Sequence, residues 1–182
     1  EGLLNADFYR TEFTNQIVVD IENTGELLFY NLEGVSFANT TQLDLAYEIY
    51  KGFNIKFAYK FNDVQIEYKN NIQQQAPISP KNRTLINLAF TNSAKDWEFD
   101  VTANFLGKSR VPSHPEFLLD YTESFGVYNG QITKNFEIFE LYFGIENILD
   151  YKQENPIKVS SKPQDQNFDA SLVYAPINGR MF

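Results

Sequence analysis

Long runs that alternate apolar and polar residues constrain this chain more than any other feature. In segment 97–105, Trp97, Phe99, Val101, Ala103 and Phe105 share one face, and Glu98, Asp100, Thr102 and Asn104 share the other. Segment 139–147 sets Phe139, Leu141, Phe143 and Ile145 against Glu140, Tyr142, Gly144 and Glu146. Segment 53–61 sets Phe53, Ile55, Phe57, Tyr59 and Phe61 against Asn54, Lys56, Ala58 and Lys60. Segment 42–49 sets Leu43, Leu45, Tyr47 and Ile49 against Gln42, Asp44, Ala46 and Glu48. Successive side chains of an extended chain point to opposite faces, so a period of two specifies β-strands with unlike faces. Shorter runs at 84–91 and 168–174 obey the same rule, the second through Phe168, Ala170, Leu172 and Tyr174. Segments 3–20, 35–41 and 121–134 read as less regular strands. The seventeen Phe and eleven Tyr suit a pleated surface and point the same way, to an all-β fold.

The connections alternate in length. Short ones fall at Lys51-Gly52, at Ser93–Lys95 and near Asn135-Phe136; long polar ones fall at 22–34, 69–82, 108–120 and 150–167. The long ones carry Pro77, Pro80, Pro112, Pro115, Pro156 and Pro163, residues that cannot sit in a central strand. Antiparallel hairpins with tight turns at one end and open loops at the other are the pattern of an up-and-down transmembrane β-barrel. About eight strands in 182 residues leave roughly 23 residues per strand and connection, against turn signals every 8–12 in a sandwich. Several runs reach the roughly nine to eleven residues that a tilted membrane strand needs. Aromatic residues gather by the short turns (Tyr50, Phe53, Trp97, Phe136, Phe139), as at the edge of an apolar band.

Alternation does not say which face looks inward. With the apolar face inside, the chain is a soluble sandwich or ligand-binding barrel. With the apolar face outside against lipid, the interior is polar, and Asp44, Glu48, Lys56, Lys60, Glu98, Asp100, Glu140 and Glu146 face a lumen. Strand length, loop asymmetry and aromatic edges favour lipid outside. A mean hydropathy of −0.38 is compatible, because alternating strands average out. No run approaches the roughly 18 apolar residues of a helical span. Cysteine is absent, which removes disulfides and thiolate sites. A net charge of −9 makes nucleic acid an unsuitable partner. The first residues have no basic stretch leading into an apolar one, so they are not a signal peptide.

No catalytic, cofactor-binding or metal-binding set stands out, and the chain reads as a non-enzyme. H-E-x-x-H, G-x-S-x-G and P-loop motifs are missing, and strand alternation accounts for the many carboxylates. His114, in Val111-Pro112-Ser113-His114-Pro115, is a candidate ligand contact in a loop, read against an ordinary solvated histidine. Arg83 and Arg110 flank long loops, where a funnel for an anionic chelate would want cations; the competing reading is a charged rim.

Four stretches carry a family resemblance. They are Asp7–Asp20; Phe29-Tyr30-Asn31-Leu32-Glu33-Gly34 leading into Gln42-Leu43-Asp44-Leu45; Gly144-Ile145-Glu146-Asn147-Ile148-Leu149-Asp150-Tyr151; and Phe168-Asp169-Ala170-Ser171 with Ala175-Pro176-Ile177-Asn178-Gly179-Arg180. In order and spacing they resemble the last third of TonB-dependent outer-membrane transporters, especially those of Bacteroidota. The resemblance covers essentially the whole chain. It implies a C-terminal segment, 1–182, of a larger, 22-stranded barrel in the Gram-negative outer membrane. The plug, the TonB-contacting segment and the earlier strands would lie outside it, and the final strand would be cut at Met181-Phe182. The family takes up scarce nutrients actively. The chain ending is less similar to the glycan-importing branch, so a ferric siderophore or similar metal chelate is the expected substrate. Expected partners are outer-membrane lipid, TonB acting through the plug, the chelate and a surface lipoprotein. Rival readings are a passive porin, or an assembly or adhesion barrel, and the soluble ligand-binding barrel.

Overall fold

A computed structural model describes residues 1–22, 27–32, 34–69, 72–112, 120–157, 162–165, 168, 170 and 172–182. The elements are β1 (Gly2–Phe13), β2 (Ile17–Asp20), β3 (Leu28–Asn31), β4 (Ser36–Tyr50), β5 (Phe53–Glu67), β6 (Gln73–Gln75), β7 (Asn82–Thr91), β8 (Trp97–Leu106), β9 (Phe125–Asn135) and β10 (Glu140–Ile145). Among the described residues all regular structure is strand. One sheet runs β1-β4-β5-β7-β8-β9-β10 with β6 added beside β5; β2 and β3 form a separate hairpin. Every strand pair is antiparallel. The chain is therefore an up-and-down meander of the kind the alternation predicts.

Boundaries moved in three places. Segment 3–20 is two strands, split where Asn15 takes a left-handed backbone (φ 57°). Segments 35–41 and 42–49 are one fifteen-residue strand, β4. The predicted strand at 168–174 is a correction: none of its described residues is in a strand. The Gln153 side chain takes the place of a partner strand there. Its Nε2 donates to the Leu172 carbonyl (2.8 Å), and its Oε1 accepts from the Tyr174 N–H (2.9 Å) and the Ala175 N–H (3.2 Å).

The tight turns and long connections segregate to opposite ends. At the turn end, Gly52 is required twice over. Its φ is +82°, and a Cβ there would lie 2.2 Å from the Thr91 carbonyl oxygen, which no side chain tolerates. The backbone carbonyl of Gly52 accepts from the Thr91 N–H at 2.8 Å, locking neighbouring hairpins together. At the same end Lys134 pairs with Asp96 and lies over the rings of Trp97 (4.7 Å) and Phe136 (5.7 Å). The Lys134 ammonium holds the Asp96 carboxyl below its usual range.

Register decides what shares a face. Opposite residues in a ladder lie on the same side, so Lys60 pairs with Gln42 and Arg83, Lys56 with Ala46 and Asn87, Asp100 with Ala89 and Gln131, and Glu98 with Thr91 and Thr133. Asp44 lies opposite Asn5 and Ala58, Glu48 opposite Asn54, and Glu140 opposite Asn135; Glu146 continues the alternation of β10. All eight sequence-predicted polar residues thus occupy one face. The other face carries Leu43, Leu45, Tyr47, Phe53, Ile55, Phe57, Ile86, Leu88, Phe90, Phe99, Val101, Ile132, Leu141 and Phe143.

Burial on β4 and β8 is inverted relative to a soluble protein, whereas on β5 the long Lys56 and Lys60 side chains are exposed and Ile55, Phe57 and Tyr59 are partly buried. Along β4, Leu43, Leu45 and Tyr47 are exposed, while Gln42, Asp44 and Ala46 between them are partly buried. Along β8, Phe99, Val101 and Phe105 are exposed, and Asp100, Thr102 and Asn104 are partly buried. Val101 is 47% exposed although its strand has neighbours on both sides. A sheet shelters the side chains on its concave face, so the pattern on β4 and β8 is that of a sheet concave on its polar side. The buried hydrophobics, Val18, Leu32, Tyr68 and Leu172, all lie off the apolar face of the long strands. Of the two orientations that the alternation leaves open, the pattern on β4 and β8 favours the polar interior.

The apolar face is also bounded. On β5 it runs from Phe53 to Phe61 and then turns to Asp63 and Gln65; beside it β4 turns to Thr41 and Asn39, and β1 to Arg10 and Glu12. Nine residues extend about 26 Å along a strand, about 20 Å along the barrel axis at the usual tilt. That is close to the roughly 25 Å apolar band of an outer-membrane barrel. β4 and β5, at fifteen residues each, continue beyond it on the loop side.

Candidate functional site

The long connections form one assembly at the loop end. The β2–β3 hairpin caps β5 through a small core of Val18, Leu32 and Tyr68, with Tyr30 and Ile66 packed on it. Tyr30 donates its hydroxyl to Asp20 (2.8 Å), and Lys69 lies over its ring (4.4 Å). Burial, with Asp20 as hydrogen-bond acceptor, raises the Tyr30 phenol above its usual value.

Arg110 ties this cap to two other connections. Its Nε donates to the Gln75 carbonyl (2.6 Å) and its Nη1 to Glu22 (3.0 Å), while Nη2 pairs with the second Glu22 oxygen. The two side chains are only 12% and 16% exposed. Burial alone pulls the guanidinium down, but the bidentate pair with Glu22 outweighs it and leaves Arg110 raised. Tyr68 beside it is raised by burial first and by the Glu22 charge second. Backbone bonds fasten the same place: Ile78 N–H to the Arg110 carbonyl (2.9 Å), Val111 N–H to Asp120 (2.9 Å), and Thr122 N–H to Ser109 (2.8 Å). Ile78 sits there at φ 53°, a left-handed backbone that a β-branched residue rarely adopts.

The segment after β10 is organised by two buried amides. Asn147, 4% exposed with φ 52°, accepts from the Tyr151 N–H (3.0 Å) and donates to the Tyr151 carbonyl (2.7 Å), and its own N–H meets Asn129 (2.9 Å). Asp150 accepts from the Arg180 N–H (2.7 Å), which holds its carboxyl below the usual range. A Cβ at Gly179 would lie 2.1 Å from that carboxylate, so any other residue there would make the Asp150 and Lys152 side chains shift. Two stretches that carry the family resemblance, 144–151 and 175–180, are therefore in direct contact. Glu146 also pairs with Met181, which places the last residues on the free edge of β10.

Between these loops lies a cavity of about 470 Å³. Tyr121, Tyr151 and Tyr174 line it, together with Glu123, Glu154 and the Asp150–Lys152 pair (3.7 Å). Phe125 stacks on Tyr151 from behind (5.2 Å, 3° between planes) and lies against Tyr174 (6.4 Å). Burial raises both tyrosines, and the charges of Glu123 and Glu154 raise them further, so both stay protonated hydrogen-bond donors at neutral pH.

The sequence-predicted candidates are dispersed. Arg110 is at the loop end, but its donors are occupied by Glu22 and Gln75. Arg83 lies on the polar face beside Lys60 and donates to Asn104 (3.1 Å). His114 lies outside the described residues. Among the described residues no cluster of three or more His, Asp or Glu could hold a metal ion. Sequence reasoning missed the tyrosine-lined cavity; its one local signal is a set of tyrosines at the ends of long polar loops, Tyr121, Tyr151 and Tyr174.

No family model matches the chain, and no curated relative matches it by sequence. Solved structures do. The siderophore receptor PiuA from Acinetobacter baumannii is similar over 97% of this chain at a TM-score of 0.63 and 19% identity. The ferric-catecholate import receptor Fiu from Escherichia coli K12, in a closed form, is similar over 82% at 0.59 and 15% identity. A mutant of the ferric enterobactin receptor PfeA from Pseudomonas aeruginosa is similar over 82% at 0.60 and 11% identity. The chain spans only 24%, 21% and 24% of those three chains. With its bounded apolar face, the fold is that of a segment of a larger antiparallel transmembrane β-barrel.

Proposed function

We propose that the protein bearing this chain is a TonB-dependent transporter of the outer membrane that imports a ferric siderophore or similar metal chelate. The observation that supports the membrane part is the bounded apolar face of the sheet, whose side chains on β4 and β8 are exposed while the polar ones between them are partly buried. Likeness of fold to three siderophore receptors supports the transport part. On this reading 1–182 is C-terminal barrel wall. Asp44, Glu48, Lys56, Lys60, Glu98, Asp100, Glu140 and Glu146 line the lumen, and Arg83 stands at its rim beside Lys60. The long connections face the cell exterior, where chelate is captured, and a plug outside this chain passes the pull of TonB. No covalent chemistry is required of the wall. A Bacteroidota source rests on the motifs alone, and a surface lipoprotein partner on the family resemblance alone.

The test is uptake of radiolabelled iron chelates by cells with and without the full-length protein, in backgrounds with and without TonB. Uptake that needs both supports the reading. Uptake that persists without TonB favours a passive porin. A protein that is monodisperse without detergent sinks the membrane assignment altogether.

A further inference from the structure

The loop-end cavity carries information about the charge of its occupant, and this inference rests on the chelate-uptake reading. We infer that the cavity takes a ligand presenting a cationic group, such as an iron(III) chelate with a free ammonium arm, in preference to a polyanionic tris-catecholate. Its walls combine phenol rings and carboxylates. Tyr121, Tyr151 and Tyr174 offer π faces, and an ammonium over such a face is attracted by the ring quadrupole. Lys152 is the one cation among the described lining residues, and it stands 3.7 Å from Asp150. Glu123 and Glu154 have no ion pair among the described residues, so the wall is net negative. Arg110, the nearby cation that would favour an anion, has its guanidinium turned to Glu22 and the Gln75 carbonyl. Arg180, held beside the wall by its backbone bond to Asp150, turns its Nε to the Ile148 carbonyl (2.9 Å), and Arg83 and Lys60 lie on the polar face of the strands and not in the cavity wall. A polyanion entering here would face the Glu123 and Glu154 carboxylates with neutral donors and an Asp150-paired Lys152 to offset them; a cation would meet both carboxylates beside the aromatic rings.

The experiment titrates the full-length protein in detergent with three iron(III) chelates of matched size. They are a trianionic tris-catecholate, a neutral tris-hydroxamate, and the same tris-hydroxamate bearing an ammonium arm. Calorimetry is run on the wild type and on the Glu123→Gln/Glu154→Gln double variant. Both residues are exposed on the cavity wall, so folding is unaffected. The expected result is tightest binding of the ammonium chelate. The double variant weakens that chelate about tenfold while leaving the neutral one within about twofold. Tightest binding of the tris-catecholate, or a preference that the double variant leaves unchanged, overturns the inference while chelate uptake stands. Binding of none of the three overturns both.

Discussion

The strand wall and the loop-end assembly are held together by different means. In the wall, backbone ladders and alternation do the work, and polar side chains satisfy one another along one face. Asn87 donates to both oxygens of Asp100 (2.9 Å) and to Thr102 (3.0 Å), Gln42 donates to Asp44 (2.9 Å), and Gln131 donates to Thr133 (3.1 Å). In the loops the ladders are short, the four-residue β2–β3 pair and the three residues of β6 beside β5. Individual side chains take over, among them Arg110, Asn147 and Gln153, each joining backbone segments distant in sequence. The wall is a repeating surface tolerant of single changes on its polar side. The loop assembly depends on a few hubs that share no duties.

Introducing charge into the wall should break that tolerance most strongly. Leu88→Arg places a guanidinium on the apolar face and should cost about 2–4 kcal/mol, measured by folding titration into lipid vesicles. Its neighbour Ala89→Arg lies on the polar face opposite Asp100 and should cost less than about 1 kcal/mol. Equal costs at the two positions would refute the lipid-facing assignment.

Arg110→Ala removes the charge partner of the buried Glu22 carboxylate and should loosen the loop end by about 3 kcal/mol. Hydrogen exchange should accelerate in residues 16–22, 75–78, 109–112 and 120–122 and stay unchanged in β8. The Glu22→Gln/Arg110→Met pair, which leaves no charge behind, should recover most of the protection. Acceleration throughout the wall would show that the two regions are not separable.

Asn147→Ala removes the side-chain bonds to both ends of Tyr151 and should cost about 1–2 kcal/mol, with the loss confined to the segment after β10. Smallest of all is an acid step at Asp150. Its carboxyl lies below the ordinary value in the folded protein, so its hold on Arg180 is complete above the unfolded pKa of about 4 and is lost as pH falls through the lower folded value. Asp150→Asn keeps an acceptor and should erase that step, read as the pH dependence of exchange at the Arg180 N–H.

The wall was legible in the sequence because its rule is local. Trp97–Phe105 and Phe53–Phe61 name their faces in every successive pair of residues, and β5 and β8 sit where that pattern puts them. The same rule misled at 168–174, where four spaced apolar residues had no partner strand and Gln153 supplied the backbone bonds. The loop end was illegible for a related reason. Nothing near Arg110 announces that its acid partner is Glu22, and a rim arginine and a latched one look alike in one dimension. Asn147 stands out in the sequence only as part of the Gly144–Tyr151 stretch of the family resemblance, and its buried amide shows what that residue does, bonding both the N–H and the carbonyl of Tyr151.

The separation between Glu22 and Arg110 has a consequence for how the barrel finds its alignment. Alternation is blind to a slip of two residues, which returns every side chain to its proper face. A wall built on period two cannot detect that error by itself. β4, β5, β7 and β8 all lie between Glu22 and Arg110, so any two-residue slip among them displaces one partner by about 7 Å. The ion pair then cannot close. The latch acts as a proofreader of register, closing only when several pairings are correct together.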